Sequence, residues 1–155
     1  KEEEQIKIKE EDIKILRELS KNARISSVDL SVKLKIPQST VINRIKQLSK
    51  ENIILGFRAN INIEKINFQN YYLEIFTNNG EEVEDIVEFS KSNNYCVYCS
   101  KVIPGADVEL EAEFKNKSEL LEFINSLKEK FKTVRKIKYW STLKYYKINY
   151  FPKNE

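Results

Sequence analysis

The apolar residues of this 155-residue chain change their spacing partway along it, and that change limits the fold more than any other feature. In the N-terminal part they recur at helical intervals, interrupted at Pro37. Further on, Asp107 to Phe114 alternates strictly, with Val108, Leu110, Ala112 and Phe114 on one face and Asp107, Glu109, Glu111 and Glu113 on the other. A period that switches from about 3.6 to 2 predicts an α+β chain whose helical and sheet-forming parts are separate.

The helical part resolves into three segments. Asp12 to Leu19 places Ile13, Leu16 and Leu19 at near-helical spacing and ends in Ser20-Lys21-Asn22. Ser26 is the expected N-cap of a second, short helix through Leu34, with Val28, Leu30 or Ser31, and Leu34 inward. Pro37 is tolerated only in a first helical turn, so a third helix starts near it and runs to about Glu51, with Val41, Ile45 and Leu48 inward. Asn52 suits the left-handed cap that follows. Two helices joined by a short turn behind a supporting first helix are the helix-turn-helix pattern. Ile53 to Ile61 then predicts a strand pair or wing, closing a first domain at residue 62.

From residue 63 onward the expected order is strand, helix, strand, strand, helix, strand. The strands are Tyr71 to Thr77, Tyr95 to Ile103, Asp107 to Phe114, and Val134 to Tyr150 as one long or two short strands. The helices are Glu81 to Lys91 and Ser118 to Phe131. This βαββαβ order is the ferredoxin-like unit, whose helices cover one face of the sheet. The other face calls for a partner, and a dimer is the default expectation.

Composition removes several chemistries. The chain has no His and no Met. Imidazole acid–base catalysis, imidazole metal sites and His-ligated haem are therefore unavailable. No window approaches the roughly 18 apolar residues of a membrane-spanning helix, and the cytoplasm is the expected location. The net charge of +3 hides a division. Residues 21–58 hold Lys21, Arg24, Lys33, Lys35, Arg44, Lys46, Lys50 and Arg58 against only Asp29 and Glu51, a polyanion-binding footprint or else a solvated helical surface.

Asp12-Ile-Lys-Ile-Leu16, Asn22-Ala-Arg-Ile-Ser26, Ser39-Thr-Val41, Arg44-Ile-Lys46-x-Leu48 and Ile53-Ile-x-Gly-Phe57, with Gly105-Ala-Asp107 between two strands, stand in the order of a known family. In that combination the chain resembles the Lrp/AsnC (leucine-responsive) transcriptional regulators. The resemblance implies a winged helix-turn-helix DNA-binding domain over 1–62 and a βαββαβ dimerisation and ligand-sensing (RAM) domain over 63–155. It also implies double-stranded DNA and a second copy of the chain as partners, with higher oligomers open, and no cofactor or metal. A small amino-acid-like effector is expected at Gly105, Ala106 and Asp107. The Tyr146-Lys-Ile-Asn-Tyr-Phe-Pro152 ending looks like the second unit of archaeal tandem proteins, in keeping with the missing Met. Pro37 replaces the usual Ser or Thr cap, Pro104 a common Gly, and Lys9 a common Asp.

In a major groove, the outward residues Gln38, Ser39, Thr40, Asn43, Arg44 and Gln47 would meet base edges and phosphates, while Lys46, Lys35 and Arg58, with Lys33 and Lys50, would neutralise flanking phosphates. A structural bond is the alternative for Arg44, solvation for Asn43 and Gln47, helix packing for Arg24, and a turn bonding backbone amides for Asp107.

Cys96 and Cys99 have redox spacing, but residues three apart on a strand face opposite sides, so convergence on an ion is not expected and both are read as reduced thiols. Glu109, Glu111 and Glu113 form a carboxylate ladder that Lys136, Lys138 and Lys144 could match across a sheet or a subunit contact. Two other functions remain open: a sirohaem-decarboxylase-like enzyme of the same architecture, disfavoured by the absent His, and a non-specific architectural DNA-binding protein.

Overall fold

The computed structural model describes residues 7–78, 80–146 and 150–152. The chain divides into two compact units, of which Ile61–Tyr145 is the second. The described residues up to Asn60 group with Tyr146 and residues 150–152 in the first.

In the first unit, α1 (Glu10–Lys21), α2 (Ser27–Leu34) and α3 (Gln38–Lys50) form the helix-turn-helix. Glu10, Glu11 and Asp12 stand in the first turn of α1, where the helix dipole favours carboxylates, and the Lys9 N–H donates to Asp12 Oδ2 at 2.8 Å. Ser26 caps α2 as expected, its Oγ accepting from the Asp29 N–H at 3.0 Å. The turn into α3 is built by Lys35 in the left-handed region (φ 56°) and by two bonds between Ser31 and Ile36, one each way. Asn52 (φ 56°) ends α3, with the Ile53 N–H returning to the Leu48 carbonyl.

Leu30, Ile36 and Val41 form the small apolar core, backed by Leu19, Ile25, Leu34 and Ile45. The inner face of α1 differs from the expected one. Its buried residues are Asp12, Ile15 and Glu18, while Ile13, Leu16 and Leu19 are half-buried. Two of the three are carboxylates held by cations, so counting apolar residues alone misplaced the face. Val28, expected inward, is exposed. Residues 53–61 form no strand, so the expected strand pair is absent among the described residues.

The second unit has β1 (Gln69–Thr77), α4 (Val83–Ser92), β2 (Cys96–Ser100), β3 (Val108–Phe114), α5 (Lys117–Lys130) and β4 (Val134–Ser141), with a single 3-10 turn, Ile63–Ile66, ahead of β1. The sheet order is β2-β3-β1-β4, antiparallel throughout, as the ferredoxin-like order requires. Tyr71, Leu73, Ile75, Val108, Leu110, Ala112 and Phe114 turn toward Ile86 of α4 and Leu120, Phe123, Ile124 and Leu127 of α5. Burying each large aliphatic side chain contributes about 1.5–3 kcal/mol. β4 stops at Ser141, so the expected strand does not reach Tyr150; residues 147–149 of that range lie outside the described residues, as do the opening Lys1 to Glu4 and Asn79.

A bulge in β2 corrects the geometry expected of the cysteines. Cys96 stands opposite Ala112, and Cys99 opposite Leu110, with the register shifting between Cys96 and Tyr98. The extra residue brings both thiols onto the core face. Burial pushes the Cys96 thiol up to about 12 and raises that of Cys99.

Candidate nucleic-acid interface

The site is the exposed side of α3, a helix whose thirteen residues include no Asp or Glu. Val41 and Leu48 are fully buried and fix its inner side. At about 100° per residue, Ser39, Asn43, Lys46 and Lys50 project opposite them. All four are exposed, and their side chains form no hydrogen bond or ion pair among the described residues. Pro37 at the N-cap offers no side-chain acceptor, so the first amides of α3 remain open to an outside acceptor such as a phosphate oxygen.

Arg44, expected among the outward residues, is turned inward. Its Nε donates to Asp12 Oδ1 at 2.6 Å and its Nη2 to Asp12 Oδ2 at 2.5 Å, a bidentate pair. The Asp12 side chain has no solvent exposure, and that of Arg44 is 12% exposed. The guanidinium holds the Asp12 carboxyl below the usual carboxylate range, and Asp12 raises Arg44 in turn. The remaining Nη1 donates to Gln47 Oε1 at 2.6 Å, and Gln47 Nε2 donates to Glu51 Oε1 at 2.8 Å. Arg44 and Gln47 are thus tied to their neighbours, and the chain Asp12, Arg44, Gln47, Glu51 pins α3 to α1. The structure realises the structural alternative for Arg44, and guanine recognition would first have to break a buried pair.

The other expected residues sort as follows. Gln38 is exposed and its Nε2 donates to Ser27 Oγ at 3.0 Å, which ties the start of α3 to the start of α2. Thr40 is half-buried. Lys35 and Arg58 are exposed and without an ion pair among the described residues. Lys33 is spent on Glu18, 2.5 Å away, and Lys21 reaches the same carboxylate at 2.7 Å. Sequence reasoning missed Asp12 and Glu18. Their signal was two acids each three residues from Ile15, so that Asp12 and Glu18 edge the stripe that Ile15 centres and can meet cations of the two following helices.

The expected effector residues are dispersed in role. Ala106 is buried, Gly105 is exposed with φ 144°, and Asp107 Oδ2 accepts from the Thr77 N–H (2.6 Å) and the Thr77 hydroxyl (2.9 Å). Asp107 thereby seals the end of β1, the turn role weighed for it.

The uncovered sheet face carries rows of opposed side chains. Tyr98, Glu111, Tyr72 and Trp140 lie in one row, and Ser100, Glu109, Glu74 and Lys138 in the next. Lys138 Nζ pairs with Glu74 at 3.0 Å and not with β3, because β4 neighbours β1. Tyr72 stacks on Trp140 at 5.9 Å and shares a 2.7 Å bond with the Tyr145 hydroxyl, which pushes Tyr72 up to about 12. Glu109, Glu113 and Lys136 form no ion pair among the described residues. No group of three His, Cys, Asp or Glu side chains among those residues is placed to hold a metal ion, and no helix there is long and apolar enough to cross a membrane.

Residues 10–54 match the family model described as winged helix-turn-helix DNA-binding. The chain is 45% identical over 53 residues to the leucine-responsive regulatory protein of Haemophilus influenzae, a match spanning 34% of this chain and about a third (32%) of that protein. It is 33% identical over 114 residues to the HTH-type transcriptional regulator Ptr1 of Methanocaldococcus jannaschii, covering 66% of this chain and 76% of that one. Among solved structures, the transcriptional regulator NMB0573 of Neisseria meningitidis, in complex with L-Met, superimposes with a TM-score of 0.83 at 21% identity, over 95% of this chain and 97% of that one.

Proposed function

We propose how this chain, which belongs to the Lrp/AsnC family of DNA-binding transcriptional regulators, engages its partners. Helix α3 enters the major groove of double-stranded DNA with Ser39, Asn43, Lys46 and Lys50 foremost. Asn43 supplies the amide that pairs with adenine, and Ser39 bonds phosphate. Gln38 and Thr40 flank them at the start of the helix, and Lys35 and Arg58 neutralise neighbouring phosphates. Arg44 and Gln47 act one step back, holding α3 on α1. The observation that carries this reading is the exposed face of α3 itself, free of acids and backed by a buried ion pair.

A second copy covers the open sheet face. That face has the half-buried Tyr72 beside the exposed Trp140 and Tyr98, with Glu109 and Glu113 on β3 and Lys136 on β4 forming no ion pair among the described residues, so two copies can satisfy one another's charges. The dimer sets two reading helices on one duplex, and a pseudo-palindromic site follows. A small amino-acid-like effector belongs near Gly105 to Asp107, a reading supported by the L-Met bound to the Neisseria relative. The chain acts by binding and not by catalysis, in the cytoplasm.

The test is a salt titration of DNA affinity. Each neutralised phosphate contributes a slope of about −0.9 in log K against log salt, so the four free cations Lys35, Lys46, Lys50 and Arg58 predict about −3 to −4 per protomer. A folded dimer that binds no DNA at low salt would overturn the proposal.

A further inference from the structure

The helical unit holds a feature that DNA recognition leaves unused. A cleft of about 830 Å³ opens between the C-terminal half of α1, the segment 53–60, and Tyr150 with Phe151. Small-molecule sites fall in the range of roughly 300–1,000 Å³. The walls are mainly apolar, and Leu55 and Phe57 are 85% and 54% exposed, a large apolar surface for so small a unit. Among the described residues no Asp or Glu lines the cleft, whereas Lys21 and Arg58 do. Lys21 is occupied by Glu18 at 2.7 Å. Arg58 has no hydrogen-bond or ion-pair partner among the described residues and is exposed.

We propose that this cleft binds a small apolar carboxylate, whose hydrocarbon or aromatic body lies on Leu16, Leu19, Leu55 and Phe57 and whose anionic group pairs with the Arg58 guanidinium. The apolar walls select the body, the absence of acids among the described lining residues limits repulsion, and the planar guanidinium matches a carboxylate with two parallel bonds. In one respect the inference rests on the proposed function: Arg58 also serves a DNA phosphate. A ligand that claims it lowers DNA affinity, and DNA lowers ligand affinity by the same factor.

Calorimetric titration of the whole chain, without DNA, tests the site with indole-3-acetate, phenylpyruvate and decanoate, and with indole-3-acetamide as the uncharged control. At least one carboxylate should bind once per chain. The acetamide should bind at least tenfold more weakly, and Arg58→Gln should weaken the carboxylate by a similar factor, the loss of one charge-assisted pair. Leu55→Asp, which puts a like charge in the cleft of a surface residue, should abolish binding while circular dichroism stays unchanged. Silence of all three carboxylates at millimolar concentration overturns the proposal, as it would if a second copy or the chain's own C-terminal residues fill the cleft. Full affinity in Arg58→Gln overturns it equally. Because no DNA is present, failure here leaves DNA binding standing, and failure to bind DNA leaves this result standing.

Discussion

The two units are held together by different physics. Among the described residues, the sheet unit buries thirteen apolar residues in one continuous cluster, whereas the main cluster of the helical unit contains three buried members and leans on charge. Asp12 with Arg44 ties α1 to α3, and Glu18 with Lys33 ties α1 to α2. Apolar packing is tolerant of direction, while a bidentate ion pair fixes one. A helix that must present side chains at defined angles to a groove gains from the second kind of contact, at the cost of a thin core.

The largest effect should come from breaking the ion pair. Arg44→Ala leaves a buried, unpaired carboxylate and should cost about 3–5 kcal/mol. Hydrogen exchange should show α1 to α3 losing protection while the sheet keeps its own. The paired replacement Asp12→Leu with Arg44→Met should recover most of that loss. Equal loss of protection in both units would erase the contrast. Truncation in the other core, Leu110→Ala, should cost about 2–5 kcal/mol and weaken the sheet amides first.

Acid should separate the units in the same direction. The Asp12 carboxyl is held below its ordinary 3.8 by Arg44, so its contribution is complete above that value. It is lost as pH falls through the lower, folded-state pKa. The helical unit should therefore open below about pH 4, ahead of the sheet core, which contains no carboxylate. Coincident transitions by near-ultraviolet dichroism and by α3 amide exchange would contradict this. The smallest effect concerns the thiols. Their raised pKa keeps Cys96 and Cys99 protonated at neutral pH, and iodoacetamide should label the folded chain far more slowly than the unfolded one.

Dimerisation sharpens the comparison from the sheet side. Trp140 is the only Trp of the chain and lies on the open face, 46% exposed in the single chain. Its emission should shift to the red on dilution as partners separate, and Lys136→Glu should raise the concentration at which this happens.

What the sequence revealed follows the same division. Strict alternation in β3 made its register and core face readable, because a period of two admits only one assignment of faces. Ser26 and Asn52 announced helix ends through chemistry that is local, a hydroxyl cap and a left-handed residue. The inner face of α1 was hidden because Asp12 and Glu18 look like surface residues until the helices that carry Arg44 and Lys33 fold against them. The shared face of Cys96 and Cys99 was hidden for a related reason: a one-residue bulge defeats any argument from spacing. Within α3, the sequence marked the outward half-circle but could not separate Asn43, which is free, from Gln47, which Arg44 and Glu51 claim.

The most direct test compares the wild-type chain with Asn43→Ala on a duplex selected from a random pool and on a scrambled duplex, by fluorescence anisotropy at one fixed salt concentration. Loss of a bidentate amide-to-adenine pair should remove about 1–3 kcal/mol of discrimination between the two duplexes and leave scrambled-duplex affinity nearly unchanged. Undiminished discrimination in Asn43→Ala would contradict the assignment of α3's exposed face as the surface that reads DNA.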